Sequence, residues 1–407
     1  MAQNTRRSFD RAKAALVLGT GLSLATLLGA CGTNGAFTSE GSNLAKEKMQ
    51  QLKSATEWTM AQQAFLAGDL PKALKHVNVS IELNDKVVKS FVLRGRILME
   101  QGDLDAASAS FAQAEKMNAA DVDTWYYQGI LAERIDRKEE ALRRYEGANE
   151  RDPSNPQYAI AAAEMMMALD RLDDAEKYLT ARLDKFDHAP GVKQTLGHIA
   201  MLRDKPADAI PLFNEARLLA PDDQAIIEDL IRAQIATGQF GQAEGNLARI
   251  LTNKANEGRR DLLHARAKCL MQLDRPVEAR EILIKLTADT DGNTDTDAWL
   301  ELGQVCYQLH DHARLRTASG RAIALAPNKP DGYVLRALYL RQNGDNPGAI
   351  DYLRRALNIQ QTPETYILLG LVQRDMNQTA DARGNFQMAL KLDPNNKDAA
   401  TLLSAVQ

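Results

Sequence analysis

The sequence predicts an all-α chain assembled from repeated helix pairs, on three observations. Alanine and leucine are abundant and evenly spread through the 407 residues, which favours helices. Aromatic residues make up only 5%, and Gly 25 and Pro 13 are too few for a β-sandwich or a disordered chain. Small and large residues also recur with a period of 34 from about residue 54 to residue 396. Lys plus Arg number 50 against 54 for Asp plus Glu, so no basic face for nucleic acid is expected.

From the N-terminus, residues 1–30 stand apart. Arg6, Arg7, Arg11 and Lys13 precede an apolar run from Ala14 to Ala30, the pattern of an export signal. That run is interrupted by Gly19, Gly21 and Ser23 and falls short of the roughly 20 apolar residues of a spanning helix. Its ending, Leu28-Gly29-Ala30-Cys31, resembles a bacterial lipobox. The resemblance implies that Cys31 is lipidated and becomes the first residue of the mature chain. Arg6-Arg7-Ser8-Phe9 also resembles a twin-arginine signal, although Asp10 departs from it; general and twin-arginine export both stay open. Gly32 after the cysteine, in place of Asp, resembles lipoproteins released to the outer membrane. Loss of residues 1–30 removes four positive charges and Asp10, taking the net charge from −4 to −7. Residues 31–53 are expected to hold the acylated cysteine, a Gly/Ser/Thr/Asn tether to about Ser42, and a helix lead-in.

The repeats follow over 54–396. Numbering 122–155 from one, Trp125, Gly129, Ala141, Tyr145, Ala148 and Pro153 occupy positions 4, 8, 20, 24, 27 and 32. The same frame gives Gly95, Ala107 and Phe111, then Gly197, Ala209 and Phe213, then Gly370, Ala382 and Phe386. This resembles the tetratricopeptide repeat. The resemblance implies antiparallel helix pairs stacked as a superhelical α-α solenoid of about ten units. They are placed at 54–87, 88–121, 122–155, 156–189, 190–223, 224–257, 260–293, 296–329, 330–362 and 363–396, with phase slips near Gly258 and Thr294. Small residues at 8 and 20 should let the helices of a unit approach, with large residues at 4, 11 and 24 filling the space between units. Gly68, Gly102, Gly238 and Gly344 fall at position 15, where the chain turns between helices. Repeat 8 departs with Leu315 and Ser319, and repeat 6 with Ile231. Residues 397–407 read as a capping helix.

Chemistry-bearing motifs are sparse. There is no phosphate loop, HExxH or GxSxG, and too little chain outside the repeats for a catalytic domain, so no enzyme and no cofactor are expected. His310-Asp311-His312 falls on an inter-helix turn and reads as solvated rather than metal-binding. Asp289, Asp291, Asn293 and Asp297 lack the glycine and terminal glutamate of a calcium loop. Cys269 and Cys306 lie on successive first helices, beyond disulfide reach, and read as packing residues. Of Met165, Met166 and Met167, two should fill the core.

Function is expected in the groove. The resemblance implies that positions 2, 5, 9, 12 and 13 of each first helix line the concave face. Here that gives Arg96, Met99, Tyr126, Ile130, Arg134, Ile160, Met167, His198, Met201, Tyr307 and Arg341. Apolar anchors among polar groups suit an extended segment or amphipathic helix of another protein. The lysine, arginine and asparagine set that clamps a C-terminal carboxylate in chaperone-binding relatives is missing from any three consecutive units. Lipobox plus repeats resemble the lipoproteins that assist tight-adherence or type IV pilus assembly, or exopolysaccharide export. The resemblance implies a membrane-anchored interaction scaffold; a scaffold that contacts glycan is the alternative.

Overall fold

The computed structural model describes residues 39–288 and 292–406, and among these the chain is helical throughout. Twenty-one α-helices run from Ser39–Leu66 to Lys397–Ser404, with one 3-10 turn at Gly292–Thr294 and no strand among the described residues. The export signal, Cys31 and residues 32–38 lie outside the described residues, as do Asp289 and Asp291. The first helix begins at Ser39, inside the stretch read from the sequence as tether. Leu44, Ala45, Lys46, Glu47 and Lys48 are good helix formers and carry the helix back through Gly41 and Ser42.

The chain divides into two compact units, Met1–Ser90 and Phe91–Gln407. In the first, Ser39–Leu66 packs on Leu70–Leu83 through Ala61, Ala64, Ala73 and Val77. Ser54 Oγ donates to the Ser80 carbonyl at 2.8 Å, and Ser80 Oγ to the Ser54 carbonyl at 2.9 Å. Small hydroxyls thus join the two helices where each buried backbone is closest.

Helix pairs repeat through the second unit. In repeat 3, Val122–Arg134 is followed by Lys138–Arg151, and Asp121 caps the pair by accepting from Thr124 N at 2.8 Å. Position 15 is left-handed in all ten units. Gly68, Gly102, Gly238 and Gly344 have φ of 73° to 84°, while Asp136, Asp170, Asp204, Asp274, His310 and Asn377 have φ of 53° to 61°. Four units use glycine there and five use Asp or Asn, the side chains that best tolerate this backbone region. His310 is the exception. Its φ places the turn of repeat 8 where the 34-residue frame puts it, so the departures in that unit are not a phase error.

Packing within each unit adds a rule to the expected one. The position-24 ring lies across position 8 of its own unit and also reaches the next: Phe111 stacks on Tyr127 at 6.3 Å between centroids, and Phe213 shares a core cluster with Leu230 and Ala233. A Cβ added to Gly95, Gly129, Gly197 or Gly370 would stand 2.4–2.5 Å from Phe111, Tyr145, Phe213 or Phe386. Where position 8 is alanine, position 24 is a smaller aliphatic residue: Ala163, Ala267 and Ala337 go with Leu179, Leu283 and Leu353, and Ala61 with Val77. In repeat 6 the glycine–aromatic pair becomes Ile231 with Leu247, both buried. In repeat 8 Ser319 leaves Gly303 uncovered by its own unit, and Leu335 of the next repeat reaches in, its Cδ1 2.6 Å from where a Cβ would be. Position 20 is fully buried throughout, with Leu315 replacing the usual alanine.

At the C-terminus Lys397–Ser404 forms the expected cap, with Asn396 accepting from Ala399 N at 3.0 Å and Val406 packed on Ala382 and Phe386. Cys269 and Cys306 are free and buried, as expected. Burial pushes both thiols up, to about 11 and about 12.

Candidate protein-interaction face

The first helix of each repeat offers its positions 5, 6, 9, 12 and 13 on one side, and the structure divides these into two kinds. Positions 5, 6 and 9 tie repeats to one another. Gln194 Nε2 and His198 Nε2 lie 2.6 and 2.8 Å from Asp229 Oδ2, which is 3% exposed. Burial alone would raise the Asp229 carboxyl, but the hydrogen bonds from His198 and Gln194 and the charge of Arg232 outweigh it and hold it below the usual carboxylate range. The same positions recur across repeats 7 and 8. His264 Nδ1 and Lys268 Nζ lie 2.7 and 3.2 Å from Glu301, and His264 Nε2 lies 3.0 Å from Asp295, which also accepts from Arg260. A carboxylate at each ring nitrogen favours the protonated form of His264, in which both nitrogens donate. Its pKa is raised, by Glu301 first and Asp295 second, against the effect of burial.

Several expected groove residues belong to these ties. Arg96 stacks over Tyr127 at 4.5 Å, again position 9 on position 6 of the next unit. Arg134 donates to the Met99 carbonyl and to Glu100, both at 2.7 Å. Arg341 donates to Asp375 at 2.8 and 3.0 Å. Tyr126 is boxed by Tyr158, Tyr127 and Tyr145 at 5.1, 5.4 and 5.7 Å between centroids, and burial drives its phenol up to about 12. Two expected lining residues are corrected. Met99 is 2% exposed and Ile160 9% exposed, so both are core side chains. Ile130 is half-buried on the same core.

Positions 12 and 13 form the other kind. Met167, Met201, Ile235, Met271 and Tyr307 occupy position 12 of five consecutive repeats, each half-buried. Met167 and Met201 rest on the cores of repeats 4 and 5, and Met271 and Tyr307 on that of repeats 7 and 8. Beside them at position 13 stand Ala168, Leu202, Ala236, Gln272 and Gln308, all exposed, with Leu202 at 58%. Successive units bring these ends together. Arg134 reaches the carbonyl of Met99, and Gln342 Nε2 reaches that of Tyr307 at 3.1 Å: position 13 to position 12 of the preceding repeat in both places. From repeat 4 to repeat 8 this strip carries no formal charge.

Met167, Met201 and Tyr307 were legible as lining residues; Ile235 and Leu202 were not among those expected, although aligning position 12 down the repeats exposes the row. Of the three methionines in sequence, Met165 and Met166 are buried and Met167 is half-exposed. The His310 and His312 rings stand 6.4 Å apart and face Gln342 and Asn343. Among the described residues no group of three or more His, Cys, Asp or Glu could hold a metal ion. No described helix is long and apolar enough to cross a membrane.

Comparison with known proteins bears on the repeats. Models of the tetratricopeptide repeat match residues 92–156 and 200–267. No curated protein matches the chain. Among solved structures, a tetratricopeptide repeat protein from Parabacteroides merdae is 18% identical, with 61% of this chain and 98% of that one covered and a TM-score of 0.49. The C-terminal part of a repeat protein from Cytophaga hutchinsonii is 17% identical, covering 60% and 99%, at 0.46. PilF of Pseudomonas aeruginosa is 12% identical, covering 60% and 94%, at 0.39. With both model matches lying within the ten-fold recurrence of left-handed turn and buried position 20, the chain is a tetratricopeptide-repeat protein.

Proposed function

We propose that the chain is an envelope scaffold, anchored through acylated Cys31, which holds an amphipathic segment of a partner subunit along the position-12 and position-13 strip. The observation that carries the binding reading is the uncharged run Met167, Ala168, Met201, Leu202, Ile235 and Ala236, flanked by polar groups already engaged with one another. An apolar side chain entering this strip displaces water without stranding a charge. Methionine adapts to anchors of different shape. Anchoring, export and placement at the outer membrane facing the periplasm rest on the Arg-rich signal and the Leu-Gly-Ala-Cys ending; assembly of a pilus or secretion machine is the narrower proposal. The scaffold reading also agrees with the general role of tetratricopeptide repeats in binding proteins. Glycan binding in polysaccharide export has less support, because the Tyr126 ring is enclosed by three other tyrosines.

A photo-cross-linking residue at Leu202 tests the reading in intact cells. Membrane purification should recover one or a few envelope subunits joined at that residue, and none when the same group is placed at Ala324 on a second helix. Equal capture from both positions would move binding off the strip.

A further inference from the structure

The first helix carries a second surface that repeat packing does not use. Ser54, Ala61 and Ala64 face Leu70–Leu83 and are buried. On another side of the same helix Leu44, Ala45, Lys48, Met49, Leu52, Ala55, Thr56, Thr59 and Met60 follow the helical spacing of four and three, and all are exposed. Leu44, Met49, Leu52 and Met60 are 54%, 53%, 65% and 43% exposed, which gathers much of the chain's exposed large apolar surface on one helix. The stripe runs about 24 Å at 1.5 Å per residue. It contains no acidic residue; Lys48 is its one charge, and Lys46 and Lys53 stand at its margin. Terminal repeats of a stacked array ordinarily turn a polar face outward.

We infer that this stripe lies on a phospholipid surface, with its apolar side chains at the headgroup boundary and its lysines reaching out to phosphates. The inference rests on the acylated Cys31 of the proposed function. Seven residues separate that cysteine from the start of the helix at Ser39, eight residue steps that span at most about 27 Å. A helix tethered that closely is held at high local concentration beside the bilayer, so modest apolar burial suffices to seat it. Aliphatic lysine stems lie along the apolar surface while their ammonium groups stay hydrated. Seated this way, the first helix would hold its own helix pair at a fixed attitude to the membrane instead of leaving it on a free tether.

Spin labels test it on the full chain purified from membranes and reconstituted in phosphatidylethanolamine–phosphatidylglycerol vesicles. Cys269 and Cys306 are buried, so a single introduced cysteine can be labelled selectively. Labels at Leu44→Cys, Leu52→Cys and Met60→Cys should favour oxygen over a water-soluble nickel relaxant by at least threefold relative to a label at Gln50→Cys. Equal, water-like accessibility at all four overturns the inference. So does dipolar broadening between Leu52 labels on separate molecules, which would mean that a second copy covers the stripe. The intact mass of the same preparation shows whether Cys31 is acylated, so failure of the anchor and failure of the seated helix are read separately.

Discussion

Gly197 lies directly beneath the ring of Phe213: a Cβ at 197 would stand 2.4 Å from Phe213 Cε1. The pair is one instance of a volume exchange between positions 8 and 24. Glycine takes an aromatic partner in four units, and alanine takes leucine in three and valine in one.

Gly197→Ala should therefore destabilise repeat 5. Alanine in a helix interior gains up to about 1 kcal/mol over glycine, whereas overpacking of this kind costs about 1–3 kcal/mol. A net loss of about 1–2 kcal/mol should lower the urea midpoint. Phe213→Leu alone leaves a void and also destabilises. Together the two substitutions recreate the Ala163–Leu179 pairing of repeat 4, so the double variant should be more stable than the sum of the singles by at least about 0.5 kcal/mol. Strict additivity would mean that the two positions are independent.

The repeat frame was legible in the sequence because each of its marks answers a steric requirement. A left-handed turn favours glycine, asparagine or aspartate, with His310 the exception, and a helix crossing favours a side chain no larger than alanine, with Ile231 and Leu315 the exceptions. Position 24 was expected to fill the space between units; its reciprocity with position 8 was missed, because a period assigns positions without saying which side chains of a unit meet. The site was less legible. Met99 and Met167 share position 12, yet one is buried and the other half-exposed, and only the neighbouring side chains decide which. Arg134, His198 and Arg341 read as recognition groups in isolation; their partners Glu100, Asp229 and Asp375 stand 34, 31 and 34 residues away and became visible only once the helices were stacked.

Gly102→Ala probes the turn by itself. No atom lies within 4 Å of a Cβ built there, while φ is +84°. The cost is then conformational, about 1–2 kcal/mol for a residue with a Cβ in this region. Gly102→Asn should lose less, as Asn377 shows by occupying the same position at 61°. Thermal unfolding of the three proteins should rank them glycine, asparagine, alanine. An alanine variant as stable as the parent would rule out strain at this turn.

His264 makes the junction of repeats 7 and 8 sensitive to alkaline pH. Its folded pKa is raised, chiefly by Glu301 and then by Asp295. Its contribution is thus complete below the unfolded value of about 6.5 and is lost as pH rises through the folded value. Arg260 and Lys268 face the same carboxylates, which limits the loss. Asp295 acts at the other end. Burial raises its carboxyl, but Arg260, the Ala298 amide and His264 hold it at about 2, so its contribution is present above the unfolded value of about 3.9 and fades as pH falls toward 2. The stability difference between the parent and His264→Gln should be largest near pH 6 and shrink by pH 9. A difference constant from pH 6 to 9 would show that the imidazolium plays no part.

Charge placed on the strip should separate binding from folding. Leu202 and Ala236 are exposed, so Leu202→Asp and Ala236→Asp leave the core untouched and should change stability by no more than about 0.5 kcal/mol. Ile235 is a poorer choice, since its half-buried side chain packs on Ile227, Ile231 and Leu247 and a carboxylate there would also destabilise repeat 6. For a partner whose apolar face covers positions 12 and 13, the paired aspartates must be desolvated on binding without a counter-charge, a penalty of several kcal/mol. Recovery of cross-linked envelope subunits should fall at least tenfold while circular dichroism and the thermal midpoint stay within error of the parent. Undiminished recovery would place the partner elsewhere, and the first positions to test would then be Glu133 and Glu164, the exposed carboxylates beside the tyrosine cluster.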